Sequence, residues 1–85
     1  MTNPTSTDLE QRVRHSVATA LAVSGELVTA DTAFGSLPQW DSMGHMNVVL
    51  AIEQTFGLAF ESYEIADLTS VAAIVSALTE RGLRS

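Results

Sequence analysis

The chain has 85 residues, 46% of them hydrophobic, with ten acidic against four basic side chains, a formal charge of −6 and no cysteine. That length allows one compact domain burying roughly 60 to 65% of its unfolded surface and leaves no room for a second core. Without cysteine there is no disulfide framework, thiolate nucleophile or zinc knuckle, and two histidines alone make a poor metal site.

With only Arg12, Arg14, Arg81 and Arg84 to meet phosphates, the charge balance argues against nucleic acid and favours basic protein partners. No apolar run reaches the ~18 residues of a membrane span, and the start of the chain lacks the basic and apolar regions of a signal peptide. A cytoplasmic protein is the expectation.

Residues 1–7 are small and polar and read as a flexible tail ahead of a single domain over 8–85. Thr7-Asp8-Leu9-Glu10 matches a capping box, in which the threonine oxygen takes an orphan amide and the glutamate reaches back to the cap. The spacing predicts a first helix from residue 8 to about residue 23. Leu9, Val13, Val17, Ala20 and Leu21 recur at three- and four-residue steps, and Gly25 supplies a left-handed stop. From Gly25 to Asp41 the period is lost, which marks an ordered connection of about 16 residues. Loops of that length are functional or tied down by their own side chains, and Leu27, Phe34, Leu37 and Trp40 are the candidate anchors.

Asp41-Ser42 opens a second helix that runs through Met43, Met46, Val48, Val49, Leu50, Ile52 and Phe56 to a stop at Gly57. At ~100° per residue, Val48, Val49, Ile52 and Phe56 form one stripe and Met43, Met46 and Leu50 another beside it. Together they cover about 220° of the circumference, where a surface helix needs little more than ~100° for its core face. One stripe is left over. An exposed apolar row with two methionines suits docking onto partners; packing beneath the long loop is the alternative that periodicity leaves open. Ser62 to Ala66 holds one short turn with Tyr63 and Ile65 as its inward groups. Thr69 or Ser70 then caps a last helix in which Val71, Ile74, Val75 and Leu78 keep helical spacing until Gly82. Three long helical segments and one short, with no alternating strand pattern, predict an all-α fold, a small four-helix bundle with a long loop between helices 1 and 2.

Ser42 stands out chemically because it lies where the loop turns into a helix, after an acid and before the left-over stripe. A phosphate ester there would meet unpaired amides and the positive end of the helix dipole. The plainer alternative is that Ser42 is a cap, or follows Asp41 as the true cap. A serine hydrolase is disfavoured although His45 shares a face with Ser42. The Gly-x-Ser-x-Gly elbow is absent, and Asp41 adjoins the serine instead of orienting the histidine. His45 projects toward Val48 and Ile52 and reads as partly buried with a hydrogen bond to the loop. His15 reads as solvated surface, Trp40 as a loop anchor, and Glu53, Glu61, Glu64 and Asp67 as a loose acidic cluster of the kind that forms a solvated face.

At Trp40-Asp41-Ser42-Met43-Gly44-His45, followed by the apolar helix to Glu53-Gln54-Thr55-Phe56-Gly57, the chain resembles the acyl and peptidyl carrier proteins, over about 75 of its 85 residues. Ile65-Ala66-Asp67-Leu68, Leu68-Thr69-Ser70-Val71 and Ile74-Val75-Ser76-Ala77-Leu78 match the family's later helices. The resemblance implies that Ser42, with Asp41 as the motif's acid, is esterified by 4′-phosphopantetheine from coenzyme A through a magnesium-dependent phosphopantetheinyl transferase. The working thiol then comes with the cofactor, and the chain carries a thioester-linked acyl or aminoacyl group between a loading enzyme and downstream synthases or transferases without catalysing anything itself. Met43, Met46, Asn47, Leu50 and Glu53 are the implied partner contacts. Met43 replaces the usual leucine, a volume-conserving change, and Gly44 and Asn47 stand where fatty-acid carriers have acids. Gly44 also weakens its helical turn by up to ~1 kcal/mol relative to alanine. The run looks like that of free-standing, monomeric carriers from specialised pathways, polyketide, nonribosomal peptide or related. The runner-up is an unmodified interaction module using the Met43, Met46, Leu50 stripe.

Overall fold

Helix α1 spans Pro4–Leu21 in a computed structural model that describes the backbone of residues 4–83 and the side chains of residues 8–83. It starts ahead of the expected capping box, so Thr7 lies inside the helix. Proline suits a first helical position, since its φ is preset and it lacks an amide that would go unpaired there. Of the expected tail, residues 1–3 lie outside the described residues. The helix also ends earlier than Gly25. Ala22 adopts a left-handed φ of 58°, the Ala22 N–H donates to the Thr19 carbonyl at 3.2 Å, and the Val23 N–H reaches back to the Ala18 carbonyl at 3.0 Å. This is a Schellman stop built on alanine, where glycine is the usual residue. Ala22→Gly is therefore expected to raise the unfolding free energy by about 0.5–1 kcal/mol, read from the denaturant midpoint, because it relieves the clash of a Cβ in that region.

Helices α2 (Ser42–Phe56), α3 (Ser62–Ile65) and α4 (Val71–Glu80) follow, with a 3-10 turn over Gly25–Leu27. The fold is the expected small all-α bundle, and α1 packs along both α2 and α4. Leu9, Val13, Val17 and Leu21 meet Val48, Val49 and Ile52 of α2 and Val71, Ile74 and Leu78 of α4 in one buried cluster. The α4 cap is Ser70, whose Oγ accepts from the Ala73 N–H at 2.9 Å. No helix among the described residues is long and apolar enough to cross a membrane.

The long loop is ordered, and its anchors differ in part from those expected. Trp40 is completely buried and Leu37 packs on the core, but Leu27 and Phe34 are largely exposed. The 3-10 turn carries Leu27 to the surface and gives the inward place to Val28. Thr32, also buried, accepts from the Thr29 N–H at 2.8 Å. The loop is stitched to the start of α4 by Phe34 N–H to Thr69 carbonyl at 2.7 Å and Val71 N–H to Thr32 carbonyl at 3.0 Å, around a single antiparallel bridge between Ala33 and Ser70.

Tyr63 of α3 is not an inward group: it is 74% exposed, while Leu68 is buried and Ile65 half-buried. One turn offers one inward face, and Ile65 with Leu68 takes it. The turn is held at its other side by Glu64, whose Oε1 accepts from the Glu61 N–H at 2.8 Å and from Arg81 Nη2 at 2.9 Å. The Glu61 N–H, and after it Arg81, hold the Glu64 carboxyl below the usual carboxylate range. The Arg81 guanidinium also lies over the Phe60 ring, 4.9 Å from its centre.

Candidate functional site

The opening of α2 is where the sequence concentrates its unusual residues, and Asp41 settles how the helix begins. Its backbone is extended and its Oδ1 accepts from the Gly44 N–H at 2.9 Å, so the acid is the cap. Ser42 is thereby freed from capping. It is the first helical residue, exposed, and its hydroxyl has no hydrogen-bond partner among the described residues. The first amides of any α-helix lack intrahelical acceptors. Those of Ser42 and Met43 have none elsewhere among the described residues, so the hydroxyl sits beside two free donors at the positive end of α2.

His45 lies one turn further in and is buried. Trp40 Nε1–H donates to its Nδ1 at 3.1 Å, and its Nε2 lies 2.9 Å from the Ile65 carbonyl oxygen. Indole nitrogen only donates and a carbonyl only accepts, so the tautomer follows: Nδ1 is the acceptor and Nε2 carries the proton. Both ring nitrogens are engaged, which leaves neither to act as a base for Ser42. The imidazole is instead a clasp joining the loop, α2 and α3, with the Trp40 ring nearly parallel to it at 6.2 Å and the Phe34 ring edge-on at 6.0 Å.

The left-over stripe is on the surface. Met43, Met46 and Leu50 are 78%, 48% and 51% exposed, and Asn47 is exposed among them. Two further residues of α2 have partners within the fold. Glu53 is half-buried and its Oε2 accepts from the Phe60 N–H at 2.9 Å, which fixes the turn after Gly57. Gly44 is buried against the loop: a Cβ there would fall on the Gln39 carbonyl oxygen and lie 2.9 Å from Cδ2 of Leu21. Helix propensity does not reveal this role for Gly44, because the neighbour that forbids a side chain comes from the loop. His15 is exposed, as expected.

The amino-acid sequence matches the family model of the phosphopantetheine attachment site over residues 11–78, most of the chain. The chain belongs to this carrier-protein family. It is similar to "Acyl carrier protein 3" of Ralstonia nicotianae, 32% identical over 89 aligned positions that cover all of this chain and 99% of the relative. It is also 27% identical to "Acyl carrier protein" of Petrotoga mobilis over 77 positions, 91% of each chain. The carrier's prosthetic group is 4′-phosphopantetheine, attached covalently. An exposed hydroxyl with free amides beside it suits a phosphodiester, so the opening of α2 fits the group. When bound, it supplies a thiol that holds acyl groups as thioesters.

Proposed function

We propose that the arm is esterified to Ser42 and that the domain is a non-catalytic tether, presenting a thioester-linked acyl or aminoacyl group to successive enzymes of a specialised biosynthetic pathway, polyketide, nonribosomal peptide or related. The observation that carries this reading is the division of labour at the helix start: Asp41 caps α2, and Ser42 keeps a free, exposed hydroxyl. The engagement of both His45 nitrogens supports a tether in preference to a hydrolase.

Met43, Met46, Asn47 and Leu50 are the surface that a phosphopantetheinyl transferase and the acyl-loading and acyl-accepting enzymes would touch, and Glu53 flanks it from its place in the Phe60 turn. Support for a specialised pathway comes from the Trp40 to His45 run and from the uncharged Asn47 in the middle of that surface. The carrier acts in this reading as a cytoplasmic monomer.

The test is the intact mass of the purified protein before and after incubation with coenzyme A, magnesium and a broad-specificity phosphopantetheinyl transferase. One added arm is expected on the parent protein and none on Ser42→Ala, with the thermal midpoint of the variant unchanged. An arm on the variant would move the attachment elsewhere. No arm on the folded parent would favour the unmodified interaction module.

A further inference from the structure

We infer that the carrier displays its acyl group outside the bundle and is suited to acyl groups that are short or polar, because the way from Ser42 into the core is shut by His45. The inference rests on attachment at Ser42. An apolar chain held at the start of α2 has two apolar surroundings within reach, the core behind the helix and the exposed row of Met43, Met46 and Leu50. The structure closes the first.

The inward positions over the opening of α2 are Gly44, His45 and Val48, all buried. At Gly44 there is no space even for a Cβ between the helix, the Gln39 carbonyl and Leu21. Val48 is fully buried in the core cluster. At His45 the ring spans from the loop to α3, held by Trp40 Nε1–H at 3.1 Å on one side and the Ile65 carbonyl at 2.9 Å on the other. Admitting a chain means swinging the imidazole out. Both hydrogen bonds are then lost, and the indole N–H of the fully buried Trp40 is left without an acceptor.

A chain of roughly two to four carbons removes too little apolar surface from water to offset that loss, and a hydroxylated or charged acyl group would in addition have its own polar atoms desolvated. Such groups stay outside. A long alkyl chain kept outside would be a permanently exposed apolar patch, a liability for a carrier that must remain dispersed. The cargo that fits is accordingly small or hydrophilic, with the methionine row as an apolar surface it can meet before a partner arrives.

The protein would be loaded with acetyl, butanoyl and octanoyl arms from the corresponding acyl-coenzyme A by a phosphopantetheinyl transferase, with loading checked by intact mass. Thermal midpoints and amide chemical shifts are then compared along the series. The midpoints are expected to agree within about 2 °C, a spread far below what burial of a chain would produce, with shift changes confined to Met43, Met46, Asn47 and Leu50. A chain that entered the core would gain with each methylene, so the octanoyl form would melt more than about 10 °C above the acetyl form and the amides of Ile52, Ile74 and Leu78 would move. That result overturns the inference and leaves attachment standing, whereas an unloaded protein overturns both. His45→Leu fills the space without either hydrogen bond and is expected to acquire a dependence on chain length. If it folds and its midpoints stay as flat as the parent's, His45 is not the bar and the inference fails; if it does not fold, the parent series decides alone.

Discussion

Gly44→Ala is expected to lower the unfolding free energy by about 2–3 kcal/mol, read from the denaturant midpoint at unchanged slope. Helix propensity alone gives the opposite sign, a gain of about 1 kcal/mol for alanine over glycine in a helix interior. The sign reverses because the added methyl has to displace the Gln39 carbonyl and Leu21 Cδ2. Neither gives way easily. Gln39 precedes Trp40, whose N–H donates to the Leu37 carbonyl at 3.0 Å and whose own carbonyl accepts from the Gly35 N–H at 3.1 Å, and Leu21 is buried in the core. Overpacking against backbone costs about 1–3 kcal/mol and occasionally more. A neutral or stabilised Gly44→Ala variant would mean that the loop does not lie against α2 as described.

His45→Ala is expected to cost more, about 3–4 kcal/mol, since two buried hydrogen bonds and the packing of the ring are lost together. The Trp40 indole N–H and the Ile65 carbonyl lose their partner, and a space opens between loop, α2 and α3. A domain of this size has a total stability of roughly 4–13 kcal/mol, so the variant gives up a large share of it. Trp40 is the single tryptophan, and its fluorescence in a urea titration reports the loss directly. His45→Gln can still offer an acceptor and a donor and is expected to recover part of the difference. If His45→Ala lost less than about 1 kcal/mol, the clasp would not be what fastens α3 and the loop to α2.

Periodicity in the sequence is enough to find α2 and α4, the core face of α1 and a second apolar row beside the core face of α2. Met43, Met46 and Leu50 are legible as a second apolar row, but their exposure is decided by the path of the loop, which leaves them uncovered. Residues whose roles depend on distant partners were harder to read. Glu53 resembles a surface acid until the Phe60 N–H is brought to it by the turn at Gly57. Tyr63 and Phe34 resemble anchors by type, but the phase of a one-turn helix and the path of a loop decide which way they face. The end of α1 is hard to place from sequence because Gly25 is the conventional stop and Ala22 is not, and its start because Pro4 initiates a helix as well as a capping box does. At the site, Asp41 and Ser42 stand out in the sequence as a pair whose division of roles it leaves open; only the hydrogen bond to Gly44 distinguishes the cap from its neighbour.

That hydrogen bond bears on how an empty carrier differs from a full one. Because Asp41 ties off the helix, esterifying Ser42 would remove no interaction from the fold, and the phosphodiester would add only a local favourable contact with the free amides at the start of α2. Blank and charged molecules would then present the same body. A partner that must tell them apart has to read the arm and its cargo, and product release has to be driven by the chemistry of the cargo, with no help from relaxation of the protein.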